Sequence, residues 1–123
     1  MVKQKKWDEY EVALLIESVI KINNNTVPRN EELQSLSNLL RKRAKNLGLY
    51  VDEKFRNYNG MSLQVAAIES LLIPGRAERH YSQLFDQMTT LYKMDKVKFN
   101  SILAEAHEQV KCIINAGEQK NVI

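Results

Sequence analysis

Five consecutive residues, Arg56-Asn57-Tyr58-Asn59-Gly60, form the densest group of ligand-recognising side chains in this sequence. A helix entered through them would offer unpaired backbone N–H groups and a partial positive charge, which together make a phosphate site. Arg56 can grip a phosphate through two parallel hydrogen bonds. Gly60 lets a backbone come close, and Gln64, one turn further on, suits an adenine edge in a major groove. The same residues have a structural reading. Arg56 then pairs with a carboxylate of the first or second helix, and Asn57 and Asn59 only cap and turn the chain. Residue type and spacing leave both readings open.

A second basic group precedes it, Arg41-Lys42-Arg43-x-Lys45. Successive residues point around a helix, so the four cannot share one face; Arg41 and Lys45, at i and i+4, do. Residues 41–56 hold six cations against Asp52 and Glu53, a local charge of +4, whereas residues 81–123 are neutral and the whole chain is +3. Arg41, Lys42 and Lys45 can therefore hold phosphates without reading sequence. The alternative is that they compensate the dipole at a helix C-terminus and line a solvated face.

Other candidate chemistry is sparse. Trp7 is either a partner anchor or a staple of the helix entry onto the core. Glu11 reads as a cap and Glu17 as the i, i+4 partner of Lys21. His80 and His107 fall in no metal-ligand spacing and read as surface residues. Cys112, the single cysteine, has no evident base and reads as an inert, partly buried thiol. Met88 and Met94 either mark an adaptable binding surface or fill gaps in the core. Phosphate-binding Gly-rich motifs, nucleotide fingerprints and Ser/His/Asp signals are missing, so no enzyme and no cofactor is expected. The lone cysteine and the lack of a secretory or membrane-spanning pattern lead to an expected cytoplasmic location.

Five helices must position these residues. The first should run from about Asp8 to Ile22, opened by a capping box of Asp8 and Glu11 and ended by Asn23-Asn24-Asn25. The second should start at Asn30 as N-cap, carry Leu33, Leu36, Leu40, Ala44 and Leu47 on one stripe, and end at Gly48. After a connector over 49–60, Ser62 should open a third helix with Met61, Val65, Ile68 and Leu72 inward, stopped by Pro74-Gly75. A fourth is expected over Tyr81 to Tyr92. A fifth should follow Asp95, present Phe99, Ile102, Leu103, Ala106, Val110 and Ile113, and end before Gly117. The expected fold is all-α: one domain over residues 1–123, with a compact orthogonal, helix-turn-helix-like three-helix core and a C-terminal helical pair over 81–116.

The run Trp7-Asp8-x-x-Glu11, Leu14-Leu15, Leu36-Ser37-x-x-Leu40-Arg41, Phe55-Arg56-Asn57-x-Asn59-Gly60-Met61 and Gln64 resembles a small helical module of bacterial proteins associated with restriction and phage defence. There it often lies beside a nuclease or helicase domain. The resemblance covers residues 7–72 and is densest over Phe55 to Gln64; nuclease motifs are absent. It implies an accessory module, either excised from a larger protein or stand-alone. A looser similarity is to Myb/SANT-type three-helix modules, although Trp7 is the only tryptophan.

Two functions follow as expectations. One is a duplex DNA-binding accessory domain of a bacterial defence or mobile-element system, using Arg41, Lys42, Lys45, Arg56, Asn57, Asn59, Gly60 and Gln64. The other is a protein–protein module or small adaptor subunit, suggested by the modest net charge and the neutral last third. The first requires the cations to converge at the amino end of the third helix.

Overall fold

A computed structural model describes residues 6–75 and 81–120, with side chains described as far as residue 111. Five helices follow in order: α1 (Glu9–Asn23), α2 (Arg29–Asn46), α3 (Tyr58–Leu72), α4 (Gln83–Met94) and α5 (Lys96–Lys120). No strand occurs among the described residues, so the chain is all-α. No helix among them is long and apolar enough to cross a membrane.

The first helix begins as its sequence dictates. The Asp8 carboxylate accepts the Glu11 N–H at 2.9 Å, and the Glu11 carboxylate accepts the Asp8 N–H at 3.1 Å. That satisfies two donors otherwise orphaned at the terminus. At the other end Asn25 adopts a left-handed φ of 56°. The Thr26 N–H then reaches the Lys21 carbonyl, and the Asn25 N–H reaches that of Ile22. The same paired pattern closes α2, where Gly48 at φ 81° directs its N–H to the Lys45 carbonyl and the Leu49 N–H to that of Ala44. Both ends are Schellman closures, built on the residue types that tolerate positive φ.

Several boundaries differ from expectation. The second helix starts at Arg29, with Pro28 in the N-cap position and no side-chain cap; proline's fixed φ is already suited to a helix entry. The third starts at Tyr58, four residues before the expected Ser62, because Asn57 takes the capping role and accepts the Gly60 N–H at 2.8 Å. The fourth runs two residues later than expected, capped by Ser82. The fifth continues through Gly117 to Lys120; a lone glycine costs a helix only about 1 kcal/mol against alanine and does not by itself end it. Ile113 and Cys112 lie outside the described side chains, and His80 lies outside the described residues.

All five helices feed one apolar cluster. Val12, Leu15, Ile16 and Val19 of α1 lie at its centre with no exposed surface. Around them pack Leu33, Leu36 and Leu40 of α2, Met61, Val65 and Ile68 of α3, Phe85 and Met88 of α4, and Phe99, Ala106 and Val110 of α5. The first helix touches each of the other four. The expected C-terminal pair is therefore part of the core that surrounds α1. Two aromatic contacts mark its edges: Trp7 meets Phe85 edge-on at 5.6 Å, and Tyr92 meets Phe99 at 5.2 Å.

Candidate functional site

The candidate site lies where the connector 47–57 crosses α2 and enters α3. Asp52 starts its last turn by accepting the N–H groups of Lys54 and Phe55 on one carboxylate oxygen, at 3.0 and 2.8 Å. Arg41 reaches across from α2 and donates to the Asp52 carbonyl at 2.9 Å and to that of Phe55. Ser37, one turn earlier on α2, donates to the Arg56 carbonyl at 2.6 Å. These bonds hold Arg56 at a left-handed φ of 49°. Few non-glycine residues adopt that conformation without support.

The strained backbone turns the Arg56 side chain inward. Its guanidinium donates to both oxygens of Glu11, Nε to Oε2 at 2.9 Å and Nη2 to Oε1 at 3.2 Å. It lies 4.4 Å from the Trp7 ring centroid and 4.5 Å from that of Phe55. Cations on aromatic faces are favoured most where water is excluded. Arg43, on the opposite side of α2, is buried as well. It donates to Asp8 at 2.9 Å and, through Nε and Nη2, to the Gln109 side-chain oxygen of α5 at 3.1 and 2.9 Å. Asp8 and Glu11 thus each serve twice, capping α1 and neutralising a buried arginine.

The structure brings Arg41 and Arg56 to the same connector, yet both point into the protein's own groups. Asn57 is half-buried and its side-chain oxygen fills the first-turn donor position of α3. Gly60 sits beneath that oxygen: a Cβ added there would lie 3.1 Å from Asn57 Oδ1. Asn59 is exposed on the first turn and Gln64 is half-buried on the second. Lys42 and Lys45 are exposed on the last turns of α2, close in sequence to the exposed Tyr50. The eight expected contact residues therefore divide. Lys42, Lys45 and Asn59 face solvent, Arg56 is enclosed, and Arg41, Asn57, Gly60 and Gln64 lie between.

Two further ion-pair groups link the helices. Glu17 accepts from His107 of α5 at 2.8 Å and lies 3.9 Å from Lys21. Arg29 forms a two-pronged pair with Glu69 of α3, both contacts at 3.2 Å. Among the described residues no group of three His, Cys, Asp or Glu could hold a metal. A pocket of about 240 Å³ opens between α2 and α5, lined by Arg43, Asn46, Leu47 and Gln109. The pKa of Tyr10 is raised, first by partial burial and then by the nearby charge of Glu9, with Glu105 and Asp8 adding to it.

At the turn between α4 and α5 the sequence offered only Met94 as a candidate; there Met94 and Val97 are the most exposed large apolar residues described, at 81% and 84%. Of the two methionines with open readings, Met88 fills the core and Met94 faces solvent. The helical period separates them: Met88 falls on the inward stripe with Leu84, Phe85, Leu91 and Tyr92, while Met94, six residues on, falls off it.

Part of the motif behind the family resemblance meets at one junction. Trp7, Asp8, Glu11, Ser37, Arg41, Phe55, Arg56, Asn57 and Gly60 are linked there by capping bonds, ion pairs and ring contacts. Such a motif carries a way of joining three helices, and fold by itself does not assign function. No protein-family model matches this chain, and no curated protein or solved structure matches it.

Proposed function

We propose that this chain is a helical interaction module that docks a protein partner, in keeping with its resemblance to accessory modules of bacterial defence proteins. The observation that carries this reading is how the polar groups are used. Of the groups that would have formed a phosphate site, Arg56 is engaged by Glu11 and Arg41 by backbone carbonyls, and the Gly60 N–H at the α3 terminus is taken by Asn57. No buried side-chain polar atom among the described residues lacks a partner. Meanwhile Leu63, Tyr50, Met94 and Val97 are each more than two-thirds exposed, which leaves large apolar side chains free to pack into a partner. Size-exclusion chromatography with light scattering, on the chain alone and with proteins encoded beside it, tests the reading. A defined complex is expected. A free monomer that forms none, yet binds DNA, overturns it.

A second reading is favoured by one observation. Lys42 and Lys45 remain exposed and precede the exposed Tyr50 by a few residues, and exposed cations followed by an exposed aromatic suit nucleic acid. Binding would then depend on α2, with Arg56 and the start of α3 supporting the connector from within. Loss of affinity for random DNA at about 50 mM salt in a Lys42→Ala/Lys45→Ala variant is the expected result. Unchanged affinity, or none in the parent chain, removes this reading.

A further inference from the structure

We propose that the corner joining α4 to α5 is a docking site for an acidic protein segment carrying apolar anchor residues; the proposal rests on reading the chain as a protein-docking module.

The corner is built around one residue. The fourth helix ends at Met94, the fifth begins at Lys96, and only Asp95 separates them. Its N–H donates to the Leu91 carbonyl at 2.8 Å, its carbonyl accepts the Phe99 N–H at 3.0 Å, and its carboxylate accepts the Lys98 N–H at 3.1 Å. Below it the Tyr92 and Phe99 rings pack edge to face. With the backbone groups occupied and the rings seated in the core, the corner has little freedom to fold its side chains inward. Met94 and Val97, on either side of this corner, are each more than four-fifths exposed.

Their surroundings select the partner. Lys93, Lys96 and Lys98 flank the pair, and Asp95 is the only acid in residues 93–98, a local charge of +2. Lys93 is steadied by donating to the Leu71 carbonyl at 2.7 Å, and the Lys96 ammonium lies 5.2 Å from the Tyr92 ring centroid. Two exposed apolar side chains with lysines before, between and after them in the sequence are complementary to apolar anchors set among carboxylates. Burial of Met94 and Val97 supplies affinity, while the lysines speed encounter and reject basic partners. An anionic lipid surface fits less well. Two non-aromatic side chains fall short of the broad apolar face with which interfacial helices enter a bilayer. Nucleic acid would engage the lysines and leave Met94 and Val97 without a role.

The test titrates the isotope-labelled full chain with three synthetic helical peptides and follows its amide resonances. The first peptide carries leucines at i, i+3 and i+7 among Glu and Asp; the second replaces the acids with Lys; the third replaces the leucines with Ala. Perturbations centred on residues 91–99 are expected with the first peptide, and binding about tenfold weaker or more with the other two. A Met94→Ser/Val97→Ser variant should lose affinity to the same degree while its thermal unfolding is unchanged, because both side chains are already in water. A Lys93→Gln/Lys96→Gln variant should weaken binding and flatten its salt dependence. Binding of the first peptide elsewhere on the surface overturns the corner assignment and leaves the docking reading standing. Absence of binding by the first peptide, or equal binding by the basic one, overturns the stated chemistry. Vesicles of phosphatidylserine and phosphatidylcholine form a separate arm; capture that depends on Met94 and Val97, in the absence of peptide binding, would reassign the corner to lipid. The docking reading itself is decided separately, by light scattering with candidate partner proteins.

Discussion

Arg56 and Glu11 form a two-pronged ion pair in which only 6% and 2% of the side-chain surface is exposed. The pair joins residues 45 positions apart and fixes the connector before α3 against the start of α1. A charge so placed is costly when left alone, because desolvation is no longer offset by its partner.

Removing one member should therefore be severe. Arg56→Met or Glu11→Leu alone is expected to cost about 3–5 kcal/mol in urea-induced unfolding. The double variant should cost much less than the sum of the two, with a residual loss of about 1 kcal/mol where Glu11 no longer caps Asp8. Single variants that each cost below about 1 kcal/mol, or effects that simply add, would contradict the geometry described.

Ser37→Ala removes the hydrogen bond to the Arg56 carbonyl. A loss of about 1–3 kcal/mol is expected, since a buried acceptor is left unpaired and the left-handed residue loses a support. Hydrogen exchange should show the effect concentrated in residues 52–60. A uniform loss of protection across all five helices would argue against a local role.

Gly48→Ala tests the closure of α2. Nothing lies within 4 Å of the added Cβ, so the penalty comes from φ alone; about 1 kcal/mol is expected. Gly60→Ala differs in kind, because its Cβ meets Asn57 Oδ1 at 3.1 Å and should weaken the cap of α3, a penalty set against the gain of about 1 kcal/mol that alanine otherwise brings to a helix. If Asn57→Ala removes most of the Gly60→Ala penalty, the contact is its cause; a penalty that persists in the double variant excludes that contact.

Tyr10 predicts a response to alkaline pH. Its phenol is raised above the ordinary value of 10.0, first by burial, then by Glu9, Glu105 and Asp8. The folded chain thus holds this proton to higher pH than the unfolded chain does. Stability from Tyr10 is fully present below 10 and is lost as pH rises through the raised value. Tyrosinate absorbance should show a late-titrating component that disappears in Tyr10→Phe; its persistence would assign it to another tyrosine.

The helices were legible from short-range chemistry. The Asp8–Glu11 box, the asparagine stop and Gly48 all depend on groups within a few residues of one another, and each is found. The start of α3 was not legible in the same way. Asn57 and Asn59 both suit a turn, and only the hydrogen bonds from Ser37 and Arg41 decide that Asn57 becomes the cap. The direction of Arg56 was harder still. A guanidinium after Phe55 serves equally to hold a phosphate or to lie on Trp7, and the choice follows from a carboxylate far away in the chain. Met94 and Val97 lie off the apolar stripes of α4 and α5, so their exposure follows the helical period, but the single-residue corner that brings the two helices together left no such pattern.

The central place of α1 also sets an order of events during synthesis. Its apolar face is covered in part by α5, to which it is tied through Glu17 and His107, 90 residues apart. A ribosome releases the chain from its amino end, so α1 emerges long before Phe99, Ala106 and Val110 can cover it. Chains that stop short of α5 would leave part of the apolar face of α1 uncovered, with the aggregation that such surface invites, and the nascent protein would need shelter until α5 emerged.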